Sequence, residues 1–181
     1  MAPSVVLVGT LDTKGEEYAY LRDRVRELGA TTVVVDVGVL GEPRIEPDVP
    51  RADVARAAGA DHAELARAGD RGRAMEVMGA GAAAVLASLH EEGRLQGVVS
   101  VGGSGNSSVA AAAMRELPVG VPKLIVSTLA SGDTRPYVGA TDVTMTYSVV
   151  VRSSTPASCP SAASASIDWP PVPVAWKTST S

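Results

Sequence analysis

Short apolar runs alternate along this chain with longer segments in which apolar residues recur at every third or fourth position. Four of the runs are rich in β-branched residues, and they are Ser4–Val8, Thr31–Val35, Gly97–Val101 and Lys123–Val126. A continuous apolar run of this length is typical of a strand buried on both faces, as strands are in parallel sheets. The pattern therefore predicts four buried strands.

The segment between the first two predicted strands has the period of an amphipathic helix. Within Glu16–Leu28 the apolar residues stand three or four positions apart, and Gly29 follows as a candidate C-cap. A strand, a helix and a strand in this order form a right-handed βαβ unit with parallel strands. The first third of the chain therefore indicates a parallel sheet.

The next segment, Gly38–Gly72, is less regular, because three prolines interrupt it. Asp53–Ala58 and Asp61–Ala68 are predicted as short helices, each with its aspartate as N-cap. Gly72–Glu92 is predicted as one long Ala-rich helix, whose two internal glycines permit close packing against a neighbour. This excursion and the long helix together are the candidate for a second small lobe.

The remaining pattern completes an α/β fold. Val109–Glu116 is predicted as a helix, and Thr141–Thr146 alternates polar and apolar residues like a fifth strand at a sheet edge. We predict a Rossmann-like domain over residues 1–150, with a mostly parallel sheet and helices on both faces. Residues 151–181 are rich in serine and proline and have no helix or strand period, which predicts an irregular tail. Ile167–Trp176 is the part of that tail expected to dock as an extended segment.

Composition narrows the class of partner. The 181-residue chain has a formal net charge of −4 and a pI near 5.2, and this acidic balance argues against nucleic acid. Its apolar stretches end well before the ~20 residues that a membrane span needs. No secretory signal is visible, and the single Cys159 excludes a disulfide framework. We expect a cytoplasmic, soluble protein that binds neither nucleic acid nor membrane and has no metal cluster.

Three loops share one position in this scheme, because each follows the carboxyl end of a predicted strand. They are Gly9–Gly15, Gly102–Ser108 and Ser127–Thr134. Ligands of open parallel sheets bind at these strand ends, so the three loops are expected to converge on one crevice. The candidate ligand-binding residues, including Asp36 at the end of the second strand, are Gly9, Thr10, Asp12, Thr13, Lys14, Asp36, Gly102, Gly103, Ser104, Gly105, Asn106, Ser107, Ser127, Thr128, Ser131, Gly132, Asp133 and Thr134.

These residues offer the groups that an anionic ligand requires. Glycines of the second loop allow backbone N–H groups to approach an anion, and the following helix adds the positive end of its dipole. Lys14 supplies a charge for phosphate, and the loop hydroxyls supply hydrogen bonds. Asp36 is placed to accept from a ribose hydroxyl, and Asp12 and Asp133 to orient Mg²⁺ through water.

Each residue also has a purely structural interpretation. The glycine loop can be a tight turn, and Lys14 can be solvated. Asp12 can form an Asx-turn, and Asp36 can serve only the loop amides. The convergence of three loops, rather than any one of them, favours an anionic ligand. No catalytic residue can be named from the sequence.

Four sequence blocks resemble a known family. They read GTLDTKGEE, VVDVGVLGEP, VVSVGGSGNSS and PKLIVSTLASGDTRPYVGATDVTMTYSV, in the order found in the N-terminal domain of a family typified by a plant tobamovirus-resistance protein. The resemblance covers residues 4–150. It implies an ATP-binding, Rossmann-like domain that is often dimeric and is followed by a larger half resembling a TIM barrel. The nucleotide contacts that it implies fall on Gly9–Lys14, Asp36, Gly102–Ser108 and Ser127–Thr134.

Two features depart from that family. Relatives usually read GGSGGT in the glycine loop, where this chain has Asn106 and Ser107, and asparagine tolerates a positive φ at such a turn. After Val150 the family continues with an Asp-rich stretch and a helix, whereas this chain has its Ser/Pro-rich tail. We hypothesise that the tail derives from a shifted reading frame or an artificial truncation. Sequencing of the coding DNA tests this, and an intact gene in frame to Ser181 would contradict it.

The function favoured by these observations is binding of a nucleotide, ATP with or without Mg²⁺, by one domain of a longer homodimeric protein. Hydrolysis does not follow, because no base or water-positioning residue is evident. Two alternatives remain open. The chain can be half of a metabolic enzyme that binds a phosphorylated or carboxylated metabolite, or a protein-interaction module with a vestigial pocket. Protection of the protein by a nucleotide supports nucleotide binding. The absence of a response to any small ligand supports the protein-interaction module.

Overall fold

A parallel five-stranded sheet forms the centre of the described part of the chain. The computed structural model describes residues 2–148. The strands are β1 Ser4–Gly9, β2 Thr31–Asp36, β3 Gly97–Gly102, β4 Lys123–Ser127 and β5 Val143–Tyr147, in the order β2-β1-β3-β4-β5. All four neighbouring pairs are parallel. The five predicted strands, the edge position of the fifth and the Rossmann-like α/β class are thereby confirmed.

Helices cover both faces of this sheet. They are α1 Leu11–Glu27, α2 Arg51–Ala57, α3 His62–Ala68, α4 Arg71–Glu91, α5 Ser104–Arg115 and α6 Arg135–Val138, with a 3₁₀ turn at Thr128–Ser131. On one face, alternate valines of β1 and β2 join a core with side chains of α2, α4 and α5. On the other face, Leu7 and Val34 pack against Leu11 and Tyr18 of α1. Within residues 2–148 the excursion therefore packs on the sheet itself, and the separate small lobe expected from the sequence is not formed.

Two helices begin earlier than the sequence pattern predicts. The pattern predicts the first from Glu16, but α1 starts at Leu11, because the carbonyl of Thr10 accepts from the N–H groups of Thr13 and Lys14 at 3.3 and 3.0 Å. Lys14 then leaves helical geometry, with φ −127° and ψ 19°, so this first turn is set off from the rest of α1. The predicted loop is therefore largely a helical turn.

The start of α5 shows the same difference. The pattern predicts it at Val109, yet the helix begins at Ser104, where the carbonyl of Gly103 accepts from the N–H of Ser107 at 2.9 Å. The run of glycine and serine has low helix propensity, which is why the pattern indicates a loop. Burial of Ser107 and its neighbours against the sheet compensates for that low propensity. Most of the predicted glycine loop is therefore the first turn of a helix.

The helix ends follow local sequence signals closely. Gly29 has a φ of +86°, as expected for a residue that follows a helix. Asp61 caps α3 by accepting from the N–H of Glu64 at 3.0 Å, as predicted. The predicted cap of α2 is wrong, since the N-cap residue is Pro50 and Asp53 lies in the first turn. Proline has no backbone N–H, but the N–H of an N-cap residue makes no hydrogen bond within the helix. Proline is therefore tolerated at this position.

The two edges of the sheet differ. Next to β2, Val49 forms a bridge with Val35, and Asp36 donates its N–H to the Val49 carbonyl at 3.0 Å. Asp48 adds a side-chain acceptor for the N–H of Val34 at 2.7 Å. This short segment therefore covers much of the β2 edge, an arrangement that limits unwanted strand pairing. The opposite edge is β5, with its Thr144 side chain exposed.

A buried lysine ties β4 to the start of β5. The Lys123 ammonium donates to the carbonyls of Pro118 and Val121 at 2.8 and 3.2 Å and to Asp142 Oδ1 at 2.6 Å. The other oxygen of Asp142 accepts from the N–H of Gly120 at 2.7 Å. The hydrogen bond from Lys123, followed by that from Gly120, lowers the pKa of Asp142 below its ordinary value of 3.8.

We expect Asp142→Asn to lower stability at neutral pH and to flatten its dependence on acid. Because the folded pKa of Asp142 is lowered, its contribution is fully present above 3.8 and is lost as the pH falls through the lowered value. Urea unfolding at neutral pH and at about pH 3 should show the wild type and variant converging in acid. Asp53→Asn, in an exposed pair with Arg56, is the control, and equal acid sensitivity of wild type and Asp142→Asn would contradict the prediction.

No helix within residues 2–148 is long and apolar enough to span a bilayer. The tail of residues 151–181, its docking segment Ile167–Trp176 and the reading-frame hypothesis lie outside the described residues. The division of the chain near Val150 therefore stays a prediction.

Candidate functional site

A tyrosine separates two neighbouring strands where the sequence predicts the crevice. β1 and β3 pair only along Val5–Leu7 and Gly97–Val99. Beyond that stretch the hydroxyl of Tyr18 stands between them, where it accepts from the N–H of Val101 at 2.8 Å and contacts the carbonyl of Val8. Burial raises the pKa of Tyr18, so the phenol stays protonated and retains its donor. The strands thus diverge at the switch point of the sheet, the usual ligand position in open α/β folds.

The glycines around this point serve different purposes. A Cβ on Gly9 would lie 2.0 Å from the Tyr18 ring, and a Cβ on Gly102 would lie 2.7 Å from the amide nitrogen of Asn106. These two glycines therefore make room for side chains of the chain itself. A Cβ on Gly103 would meet its nearest protein atom only at 4.0 Å. Gly103 is therefore the glycine that leaves open space beside the start of α5.

A cleft of about 480 Å³ opens at this position. Two of the three predicted loops meet in it, the turn after β1 and the first turn of α5. Of the predicted site residues, those that line the cleft are Thr10, Asp12, Thr13, Lys14, Gly103, Ser104, Gly105 and Asn106. The structure thus brings together eight of the predicted residues from separate loops.

The third predicted loop does not line the cleft in the part of the chain that the structure describes. Ser127, which is buried, shares a hydrogen bond of 2.7 Å with the hydroxyl of Ser107 and accepts from the N–H of Leu129 at 3.1 Å. Asp133 pairs with Arg135 at 2.9 Å on the exposed surface. Within the described structure, the residues from Ser127 to Thr134 are not among those lining the cleft. Ser127 therefore holds the first turn of α5 through Ser107, and the hydroxyl of Thr128 comes within 4.0 Å of the position of a Cβ on Gly103.

Asp36 also lies outside the cleft and has three donors of its own. Its carboxylate is fully buried and accepts from the N–H groups of Leu11 and Gly38 at 3.2 and 2.9 Å. The guanidinium of Arg51 completes the set at 2.7 Å. Arg51 also donates to the carbonyl of Gly41. The arrangement matches the structural interpretation of Asp36, which joins the loop after β2 to the turn after β1.

Sequence reasoning missed the apolar residues that line the cleft. The loop after β2 contributes Val37 and Val39, α3 contributes Leu65, and α4 contributes Met75 and Met78. The two methionines at helical spacing predicted only core or interface packing. No local signal shows that these apolar residues share a cleft with the polar loops, because the two sets belong to distant segments.

Arg71 is the second feature that the sequence did not reveal. It is the first residue of α4 and lines the cleft. Its Nη2 lies 3.0 Å from the position that a Cβ on Gly105 would occupy. The guanidinium therefore stands beside the first turn of α5.

The charged residues of the cleft differ in the hydrogen-bond and ionic partners that they have. Lys14 contacts Glu17 at 2.6 Å. Partial burial alone would raise the pKa of Glu17, but the hydrogen bond and charge of Lys14, a backbone hydrogen bond and the charge of Arg44 together lower it. Asp12 accepts from the N–H of Gly41 at 3.1 Å through Oδ2. Its buried Oδ1 has no hydrogen-bond partner among the described residues. Asp12 thus has a buried acceptor without a donor among the described residues.

Asn106 has a second acceptor of this kind. Its amide nitrogen donates to the Ser100 hydroxyl at 2.8 Å and to the Val101 carbonyl at 3.1 Å. A carbonyl can only accept, which fixes the orientation of the amide. In the described structure Oδ1 of Asn106 then has no partner, although the residue is only 5% exposed.

Comparison with known proteins identifies the family. The profile described as "Uncharacterised protein family (UPF0261) N-terminal domain" matches residues 3–155. The chain belongs to the UPF0261 family. This confirms the resemblance drawn from the four sequence blocks, since a tomato relative, the ToMV susceptible protein tm-1(GCR26) of Solanum lycopersicum, is 35% identical over 169 residues. That alignment covers 82% of this chain and 22% of the tomato protein.

Bacterial UPF0261 proteins are more similar still. One from Clostridium tetani is 50% identical over 150 residues, which is 83% of this chain and 37% of the relative. One from Rhizobium meliloti is 42% identical over 145 residues, covering 80% of this chain and 35% of the relative. The chain therefore spans little more than a third of the length of these relatives.

Proposed function

We propose that this UPF0261 domain binds a nucleotide, ATP with Mg²⁺, in the cleft between the turn after β1 and the first turn of α5. The observation that carries the proposal is the mixed lining of the cleft, in which Gly103 and the start of α5 occur together with the apolar side chains of Leu65 and Met75. A nucleotide combines the same two characters, with an anionic phosphate chain and a flat, largely apolar base.

The polar side suits phosphate. The first N–H groups of α5 have no partner within the helix, and the helix dipole favours an anion at this end. The hydroxyls of Thr10 and Thr13 lie 2.9 Å apart on the facing turn, so both are near the same space. The volume of about 480 Å³ is in the usual range for small-molecule sites.

Asp12 is the residue that fits Mg²⁺. Magnesium at phosphate sites takes one or two carboxylates and keeps several waters, and Asp12 is a carboxylate that lines the cleft. Bound there through water, Mg²⁺ would neutralise phosphate charge. The residues that line this cleft are assigned a role in binding, and none of them is assigned a role in cleaving phosphate.

The apolar lining separates this proposal from its main alternative. A small phosphorylated or carboxylated metabolite would use the start of α5 but leave the side chains of Val37, Leu65 and Met75 without a partner. Burial of a base against such side chains contributes about 25 cal/mol per Å² of apolar area. The proposal covers this domain, and dimerisation is a separate prediction.

Gly103→Val is expected to weaken ATP binding by about 10- to 100-fold, because its side chain enters the space beside the α5 amides. Calorimetric titration with ATP, with and without Mg²⁺, measures this. Gly103 has φ −97° and ψ −161°, which valine adopts without strain, so the variant should fold. Gly132→Val is the matched control, since Gly132 is also extended, with φ −116° and ψ −150°, and lies outside the cleft. No saturable heat from folded wild-type protein would reject the ATP proposal.

A further inference from the structure

We propose that part of the sheet face on the α1 side is the docking surface for an amphipathic helix, supplied by the polypeptide that follows this domain in the longer UPF0261 proteins. The surface lies on β3, β4 and β5. Its six residues, here called the open face, are Val99, Val101, Leu124, Val126, Thr144 and Thr146. None of them is charged, and none lines the cleft.

The exposure of side chains along one row of the sheet shows where the cover by α1 ends. The row consists of Val34, Leu7, Val99, Leu124 and Thr144, which stand side by side in register across the five strands. Val34 and Leu7 pack against α1 and are 1% and 0% exposed. Val99 and Leu124 are half-buried, and Thr144 is exposed. The cover is therefore lost progressively from β3 to β5.

The same strands are covered on their other face. The neighbouring row consists of Val33, Val6, Val98, Lys123 and Val143, and no member of it is more than 7% exposed. On that side α5 and α6 pack against β4 and β5. The position of β5 at the edge of the sheet therefore does not explain the exposure of the open face. A layer of helix on the α1 side would be needed to bury it.

The handedness of the crossovers explains why residues 2–148 leave this face open. A right-handed crossover places its helix on one face when the chain moves from β1 to β2, and on the opposite face when the chain moves the other way across the sheet. Only α1 belongs to the first kind, because the connections to β3, β4 and β5 all move away from β2. Cover for β4 and β5 on the α1 side must therefore come from outside the described residues.

The extent of the family match indicates which polypeptide supplies that cover. The N-terminal domain profile ends at residue 155, and the 150 matched residues are 37% of the Clostridium tetani relative. Most of that relative therefore lies outside the match, and the description of the profile as N-terminal places it after β5. All-parallel sheets are covered by helices on both faces, and rows of valine and leucine suit the apolar stripe of an amphipathic helix.

The test is the binding of a labelled synthetic peptide to the full chain, measured by fluorescence anisotropy. The peptide is the segment of about 40 residues that follows the matched region in the Clostridium tetani relative, long enough for several helical turns. Val126 stands in register between Val101 and Thr146, at the centre of the open face. Val126→Asp should weaken peptide binding by about 10- to 100-fold, because a carboxylate would be buried against the helix. The bound peptide should gain helical circular dichroism, and a scrambled peptide should not bind.

Val119→Asp is the matched control. Val119 is 84% exposed and precedes β4, outside the open face, so this variant should change the peptide affinity by no more than about twofold. Val126→Thr keeps the β-branched shape that suits a strand and guards against misfolding of Val126→Asp. It should weaken peptide binding by about 3- to 10-fold, because a hydroxyl replaces a methyl group in the contact.

Four results would overturn the inference. They are no binding by folded wild-type protein, equal binding by wild type and Val126→Asp, a bound peptide that gains strand instead of helix, and a wild-type dimer that Val126→Asp dissociates in light scattering. The third result would show strand addition at the β5 edge, and the fourth would show that a second copy of the chain covers the open face. ATP titration is a separate measurement, so failure of this inference leaves the proposed function standing.

Discussion

Replacing Arg51 by methionine is expected to lower the free energy of unfolding by about 3–5 kcal/mol, because it leaves the carboxylate of Asp36 buried without its counter-charge. Asp36 is 0% exposed, and the side chain of Arg51 is 12% exposed, so water cannot replace the lost guanidinium. The two N–H donors from Leu11 and Gly38 remain, but neither carries a full charge. Urea unfolding of wild type and variant measures the difference.

The control is an exposed pair on the same helix. Arg56→Met breaks a contact of 2.6 Å with Asp53, but both side chains are largely exposed, and exposed pairs contribute about 1 kcal/mol or less. The double variant Arg51→Met/Asp36→Asn should recover part of the loss, since an amide needs no counter-charge. Equal small effects of Arg51→Met and Arg56→Met would contradict the buried pair.

Replacing Gly81 by alanine is expected to lower the free energy of unfolding by about 3 kcal/mol. A Cβ at this position would stand 1.9 Å from the carbonyl oxygen of Val54 and 2.8 Å from its carbonyl carbon. Both atoms belong to the backbone of α2, so α2 would have to move away from α4. Overpacking of this kind costs about 1–3 kcal/mol or more, which exceeds the ~1 kcal/mol that alanine gains over glycine in a helix.

A second glycine of α4 provides the control. Gly72 is exposed, and the nearest atom to an added Cβ is a carboxylate oxygen of Asp70 at 3.4 Å. Gly72→Ala should therefore stabilise the protein by up to about 1 kcal/mol. Thermal and urea unfolding of both variants should show opposite signs. A stabilising Gly81→Ala would show that α2 and α4 are farther apart than the structure places them.

The same helix bears on the predicted dimer. The sequence also offers the Ala/Gly-rich helix Gly72–Glu92 as a candidate interface between two chains, but Gly81 faces α2, and a Cβ on Gly79 would lie 3.3 Å from Ala112 of α5. These two glycines of α4 thus allow close packing between helices of one chain. Homodimerisation stays a prediction, and light scattering on the full chain measures it.

The sequence alone determined the strands and their parallel arrangement. Continuous β-branched runs such as Thr31–Val35 can be stable only when buried on both faces, and helical periods between them require crossovers. Those two local facts imply the sheet, its Rossmann-like class and a ligand site at the strand ends. The sequence pattern therefore suffices to place the glycine turn at Gly103 beside the turn from Thr10 to Lys14.

The tertiary structure alone decided which charged groups meet. Nothing in the local pattern pairs Asp36 with Arg51, and nothing places Arg71 beside Gly105, because each pair joins elements brought together by a crossover. Periodicity reports which side of an element is buried, whereas a charge pair depends on distances of a few ångströms between elements. Sequence reasoning accordingly located the cleft and selected Lys14 as its cation. Helix packing leaves Lys14 paired with Glu17 and places Arg71 beside the first turn of α5.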